Sequence, residues 1–325
     1  VVVAQDDYTH VVGPEHDFNE SMYFEFHDPA TGLGGFLRLA NRPNEGIGER
    51  TVCLYLPGGA VGFGFDRPAV TTNAAMNAGG LVVEVVQPMA EIGIRFTGEV
   101  SVLADPRVMR DPKSALSSSP LVSAQIHLRY RAIAAPHEQT FESAGQSFAP
   151  NHYEQLCAVT GRLEIGAHTY EVQGHGLRDH SWGPRSWQAP WFYRWLHGCT
   201  TEFGFMAAYF GDEEGSSRCG GFVFDGADVH RCDDVTITTA RDQDGFQQRI
   251  DVTLVAGERR WRLRGEALSS VPLRHRSADG SASTRIVESA IRWHRDGDGD
   301  GDGELYGMAE YLDQIHDGQP VGKHV

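Results

Sequence analysis

Apolar and polar residues alternate with a period of two along most of the chain, the spacing of strands that turn one face to a core. The first clear run sets Met22, Phe24 and Phe26 against Tyr23, Glu25 and His27, and the turn-forming stretch Asp28-Pro29-Ala30-Thr31-Gly32 behind it predicts a hairpin. Short runs of the same kind recur at 36–39, 51–56, 81–86, 92–96 and 126–130, parted by clusters such as Pro57-Gly58-Gly59. The style continues near 156–165, 203–210, 221–224, 235–239, 250–255, 261–263, 285–293 and 305–312. No long pattern with the helical period competes. Many short strands with closely spaced turns predict an all-β fold of barrels or sandwiches, and barrels also remove exposed sheet edges. Polar and small residues replace the alternation between Pro136 and Asn151, so two domains are expected, 1–150 and 151–325.

A length of 325 residues suits two domains, and a 40% hydrophobic composition provides for a packed core in each. Charge narrows the function classes. Lys and Arg number 28 against 44 Asp and Glu, and the resulting net charge of -16 repels phosphate backbones and anionic lipid headgroups, so no nucleic-acid partner is expected. The longest apolar stretch, around 81–86, is broken by Glu84 and falls far short of the ~20 residues that span a bilayer, so no membrane insertion is expected. The chain starts at Val1 without a basic region and apolar core, and its five cysteines are odd in number, widely spaced and free of Cys-x-x-Cys pairs. These features predict a cytoplasmic protein with reduced, mostly buried thiols. A homodimer is compatible with the sequence.

Signature motifs are missing. There is no phosphate loop, and Gly174-His175-Gly176 lacks the third glycine of a dinucleotide fingerprint. His175, His180, His197 and Cys199 match no standard zinc spacing, so neither an organic cofactor nor a metal is expected. The acidic repeat 296–304 has no glutamate where a calcium loop needs one, and reads as a solvated hairpin tip between Trp293 and Tyr306. Asp179-His180-Ser181 holds the residue types of a hydrolase triad, but neighbours in an extended segment point to alternate faces.

The densest feature is the segment 174–187, continuing through Trp191, Phe192, Tyr193 and Trp195; four of the six Trp fall within 14 residues. Clustered aromatics with an embedded acid, imidazole and guanidinium are what an apolar pocket with a few orienting polar groups requires. The alternative is structural: the Trp residues close a barrel end while Asp179 and Arg185 form an ion pair that holds a loop.

Asp-His-Ser-Trp-Gly-x-Arg at 179–185, Asn41-Arg42-Pro43-Asn44-Glu45-Gly46 and Tyr153-Glu154-Gln155 resemble the hydroxyneurosporene synthase group. That group contains carotenoid hydratases, AttH-like proteins and related two-barrel Diels–Alderases, with tocopherol cyclase as a more distant relative. The resemblance covers nearly the whole chain. It implies two lipocalin-like (calycin-type) antiparallel β-barrels side by side, an apolar substrate bound at or between them, and no organic cofactor. It is less specific for a reaction, since the fold hosts hydration, cyclisation and binding.

Hydrating or cyclising an isolated alkene needs an acid able to protonate carbon. An aspartate is mostly ionised at neutral pH, so Asp179 would need burial against Trp182 and Trp187 to remain an acid, and the same rings would stabilise a cation. Arg185 argues the other way: paired with it, Asp179 becomes a base or a strut, and His180 the better proton donor. Asp179, His180 and Arg185 are thus the expected catalytic residues. Trp182, Trp187, Trp191, Tyr193, Trp195, Tyr153, Glu154, Glu45 and Glu310 are the expected substrate contacts, with His152 and His175 as further pocket contacts. Two functions stay open: a cofactor-independent hydratase, cyclase or isomerase for a hydrophobic terpenoid-, polyene- or polyketide-like substrate, and a carrier of such a molecule.

Overall fold

A computed structural model describes residues 2–139, 142–143, 146–147, 150–187, 190–277, 279–296 and 303–325. The expected hairpin tip after Trp293 lies mostly outside the described residues. The chain divides into two compact units, the first comprising Val1–Asp105, Ala115–Glu142 and Ser147–Ser186, the second Pro106–Ser114, Ser143–Gln146 and Trp187–Val325. Both are antiparallel β structures, and among the described residues no helix is long and apolar enough to cross a membrane.

The first unit contains β1 (Phe18–Asp28), β2 (Leu33–Arg42), β3 (Ile47–Tyr55), β4 (Val61–Asp66), β5 (Leu81–Gln87), β6 (Glu91–Leu103), β7 (Leu121–Ala132), β8 (Asn151–Ile165) and β9 (His168–Pro184). The hydrogen-bonded order is β4-β3-β2-β1-β9-β8-β7-β6, and pairing of β4 with β6 closes it into a ring. The predicted first hairpin is present, with Asp28 accepting from the Ala30 amide through its side chain and from the Gly32 amide through its carbonyl, and with Gly32 at φ 70°. Met22, Phe24 and Phe26 face the ring's interior with Leu37, Leu39, Val52, Ile94, Phe96, Ile126 and Leu128. Tyr23, Glu25 and His27, read from the sequence as a polar face, are buried as well.

The two glycines that failed as a dinucleotide motif have a packing role. A Cβ on Gly174 would lie 2.0 Å from the His27 carbonyl oxygen and one on Gly176 1.9 Å from that of Glu25, so β1 and β9 approach this closely only without side chains there.

The second unit contains β10 (Phe192–Cys199), β11 (Gly204–Gly211), β12 (Ser217–Phe224), β13 (Val229–Cys232), β14 (Asp234–Arg241), β15 (Gln247–Ala256), β16 (Arg259–Arg276), β17 (Ser283–Arg295) and β18 (Gly303–His316). Its sheet order is β13-β12-β11-β10-β18-β17-β16-β15-β14. Phe205, Phe246, Trp293 and Tyr311 fill its core, and the Trp293 indole donates to the His197 carbonyl at 3.0 Å.

The partition differs from the expected 1–150 and 151–325. Residues 151–184 form β8 and β9, which hydrogen-bond to β7 and β1 and complete the first ring, so the boundary falls between Ser186 and Trp187. The Asp-His-Ser-Trp-Gly motif therefore belongs to the first unit. Loss of alternation between 136 and 151 therefore does not mark the boundary between the units. The five cysteines are free, four of them buried.

Candidate active site

Strand β9 lies between β1 and β8, and its alternation places two sets of ionisable groups on opposite faces of one sheet. Arg178, His180 and Trp182 share the interior face with Tyr153 and Gln155 of β8 and Glu20 of β1. Asp179 and Ser181 share the outward face with His152, Glu154, Tyr23 and Glu25. His180 is thereby separated from the other two residues of the false triad, as period-two geometry requires.

On the interior face, His180 Nε2 lies 2.6 Å from Glu20 Oε1, and His180 Nδ1 3.4 Å from the Tyr153 hydroxyl. His10, from the segment preceding β1, adds Nδ1 at 2.9 Å from the same Glu20 oxygen and stacks on Trp182 with ring centroids 3.7 Å apart. The Asn73 amide and the His10 backbone N–H donate to the other Glu20 oxygen, each at 2.9 Å. Burial alone would raise the Glu20 pKa, but these bonds and the His180 charge outweigh it and bring it down to about 2. Beside them Arg178 donates to Gln155 and to Asp7, whose carboxylate also accepts from Tyr153. Burial pushes Asp7 upward, but Arg178 and these bonds hold it below the usual carboxylate range.

On the outward face, His152 Nε2 bonds to Asp179 Oδ2 and lies 3.5 Å from Glu154 Oε1, while His152 Nδ1 lies 3.2 Å from the Gln139 carbonyl. Burial disfavours charge on both partners. The attraction between them is larger in sum, so Asp179 is lowered, with Arg185 and His180 adding to the effect, and His152 is raised, with Glu154 adding. Both shifts favour an imidazolium beside a carboxylate. This departs from the expectation that Asp179 is kept as an acid by Trp182 and Trp187: its nearest partner is an imidazole, and Trp182 is on the other face. Arg185 contributes its charge, but its guanidinium donates to Ser181 Oγ at 3.2 Å.

Glu25 has the opposite electrostatics. It is 1% exposed, and burial raises its pKa well above the usual value, opposed only in part by a hydrogen bond with the Leu177 backbone. Its register neighbour on β2 is Phe36. A carboxyl that stays neutral in the fold and ionises when unfolded lowers stability as pH rises above its ordinary value. Glu25→Gln is therefore expected to gain stability over the parent protein between pH 5 and 8, by an amount that grows with pH; a constant or shrinking difference in urea titrations would contradict a neutral Glu25.

The remaining expected contacts are dispersed. Glu45 pairs with Arg42 in the turn after β2. In the second unit, Trp195 is the register partner of Glu310, which accepts from the Tyr193 hydroxyl, and Trp195 is tilted against His197 at 4.8 Å. Trp187 stacks on His275 and Trp191 tilts against His316. The structure thus joins Asp179 with Glu154, and His180 with Tyr153 and Trp182, while Tyr193, Trp195 and Glu310 form a separate group.

Sequence reasoning missed Glu20, Asp7, His10 and Arg178, and underrated His152. Glu20 carried a signal: it continues the interior register of Met22, Phe24 and Phe26, where an acid must have a buried partner. Asp7 and His10 carried none, because a segment outside any periodic element reveals nothing of where it docks. Either set, His10–Glu20–His180 or His152–Glu154–Asp179, has ligand atoms within 4.8 Å of one another, close enough for a cation, yet in both an imidazole nitrogen is already engaged by a carboxylate.

Two antiparallel lipocalin-like units with a polar seam on the strand that completes the first ring define the class: the two-barrel lipocalin-like proteins. Solved structures of that class superpose over nearly the full length. They include CghA (TM-score 0.58, 9% identity, 94% of this chain and 90% of that one) and kievitone hydratase from Nectria haematococca (0.57, 11%, 96% and 93%). A putative AttH, NE1406, from Nitrosomonas europaea gives 0.52 at 12% identity, with 96% of each chain covered. The chain itself belongs to the family described as a domain of unknown function, DUF7064, whose profile matches residues 3–315. No curated protein sequence matches it.

Proposed function

We propose that this chain is a cofactor-independent acid–base enzyme of the hydro-lyase or isomerase type, acting on a hydrophobic terpenoid-, polyene- or polyketide-like molecule. The observation that carries the reading is the part-buried His152–Asp179 pair with Glu154 beside it. An imidazolium at His152 would supply the proton and the carboxylate beside it the base, the two groups that water addition and double-bond migration both require. In hydration, His152 gives its proton to one alkene carbon as a C–H bond forms. Water adds to the other carbon, and the proton that water loses passes to Asp179, which returns it to His152. An imidazolium is too weak an acid for an isolated alkene, so the arrangement suits a double bond polarised by a conjugated carbonyl or phenol. Kievitone hydratase is a protein of this fold whose name states a hydration.

One observation favours a structural role for part of the aromatic cluster over substrate contact. Trp182 is covered by His10, and Tyr193 is engaged by Glu310, so part of the aromatic cluster holds its own chain together.

The test is mass spectrometry of a panel of terpenoid, polyene and polyketide alkenes and alcohols incubated with the protein in oxygen-18 water. Asp179→Asn and His152→Gln are expected to lose about 10²–10⁴-fold in turnover while remaining folded. Enzyme-dependent gain or loss of labelled water identifies a hydro-lyase, and product of unchanged mass but new retention time an isomerase or cyclase. Full activity in both variants would remove the pair from the mechanism, and binding without conversion across the panel would establish the carrier.

A further inference from the structure

Three donors converge on one carboxylate inside the first unit, and the carboxylate belongs to the segment before β1. Asp7 ends a short 3-10 turn (Ala4–Asp7) and is 0% exposed. Its Oδ1 accepts from Arg178 Nη1 and from the Tyr153 hydroxyl, both at 2.5 Å, and its Oδ2 accepts from the Met89 backbone N–H. The cradle is held independently of Asp7. Gln155 Oε1 accepts from Arg178 Nε at 2.8 Å and from Nη2 at 2.5 Å, and the Gln155 amide donates to the Met89 and Ala134 carbonyls at 3.0 and 2.9 Å. Met89 sits at φ 59°, the left-handed region that a non-glycine residue occupies at a cost, and from there its N–H points at Asp7. The wall beside Arg178 is apolar, with Phe24 as its register partner on β1 and Cys157 and Met22 on the same face.

The geometry points to a carboxylate-binding site formed by Arg178, Tyr153 and the Met89 amide, which takes a carboxylic acid with an apolar body and which Asp7 occupies as a built-in ligand. The segment that carries Asp7 also carries His10, bonded to Glu20 and stacked on Trp182, so it acts as a strap across the interior seam. An incoming carboxylate competes with Asp7 for the same donors, and success releases the strap. A guanidinium and a phenol directed at one oxygen and a backbone amide at the other select a two-oxygen carboxylate over chloride of the same charge by geometry. The inference is independent of the His152–Asp179 chemistry on the other face of the sheet.

The test uses the full chain and its Asp7→Ala variant, titrated with sodium octanoate, sodium acetate and sodium chloride at constant ionic strength. Asp7→Ala is expected to have a lower thermal midpoint and to recover it saturably with octanoate, which binds at least about tenfold more tightly than to the wild type, the factor that loss of one charge-assisted competitor implies. Acetate is expected to act in the same direction more weakly and chloride not at all, and Tyr153→Phe in the Asp7→Ala background is expected to weaken octanoate. In the wild type, octanoate is expected to speed amide hydrogen exchange across residues 2–13, which tests the proposal even if Asp7→Ala does not fold. Equal octanoate affinity in wild type and variant, recovery by chloride as good as by octanoate, or unchanged exchange of residues 2–13 at saturating octanoate would each overturn it.

Discussion

Arg194→Met is expected to destabilise the protein by about 3–5 kcal/mol, the cost of removing one partner of a buried ion pair, with Arg285 at 3.7 Å as the counter-charge still paired with Asp313. Arg194 and Asp313 are both 0% exposed at the side chain and lie 3.0 Å apart. The guanidinium also donates to the carbonyls of Tyr193, Leu312 and Val325 at 2.8, 3.0 and 3.3 Å, and its carbon lies 4.5 Å from the centre of the Tyr311 ring. One side chain thus joins β10, β18 and residues 322–325, and methionine replaces its volume without its donors. Urea denaturation followed by tryptophan fluorescence measures the loss. Arg231 and Asp233, 3.4 Å apart but 76% and 82% exposed, provide the contrast: their separation by substitution is expected to change stability by less than ~1 kcal/mol. A loss below about 1 kcal/mol in Arg194→Met would mean that the pair is not the second unit's electrostatic anchor.

The second large effect depends on pH. Glu20 falls from an ordinary value of 4.5 to about 2 in the fold. A group with a depressed folded-state pKa stabilises the protein above its unfolded value and loses that contribution as pH falls through the folded one. The stability difference between wild type and Glu20→Gln is therefore expected to be full at pH 5 and above. It should shrink across pH 4.5 to 2 and be nearly gone at the lower end. A shift of this size corresponds to about 3 kcal/mol at neutral pH. Guanidinium titrations of both proteins at half-unit steps of pH check this, and a difference that does not vary below pH 4.5 would show that Glu20 is not held ionised by His10 and His180.

Period-two alternation was enough to establish an all-β chain, the first hairpin and most of the interior residues of both units, because burial on one face imposes that period whatever the topology. It could not place the boundary. Strands 151–184 have the same alternation whichever ring they complete, and only long-range pairing with β1 and β7 assigns them to the first unit. The Asp-His-Ser-Trp-Gly segment was legible as a chemically dense site, but alternation splits it between two faces, so Asp179 and His180 have different direct partners. The partners that decide its electrostatics, His152 for Asp179 and Glu20 for His180, lie 27 and 160 positions away along the chain. Spacing rules see local pairs, and both of these are products of the sheet register.

Because β1 pairs with β9, and β10 with β18, each unit joins the beginning of its own sequence to its end. During synthesis the first ring cannot close until Pro184 has left the ribosome, and until then β1 to β7 present an unpaired edge and an open apolar interior to the cell. Such a chain is expected to stay open to aggregation for longer than a helical bundle of the same length, whose contacts form as it emerges. A fragment ending at residue 150 would be such a trapped intermediate, expected in inclusion bodies, whereas one ending after Ser186 would carry the whole first ring.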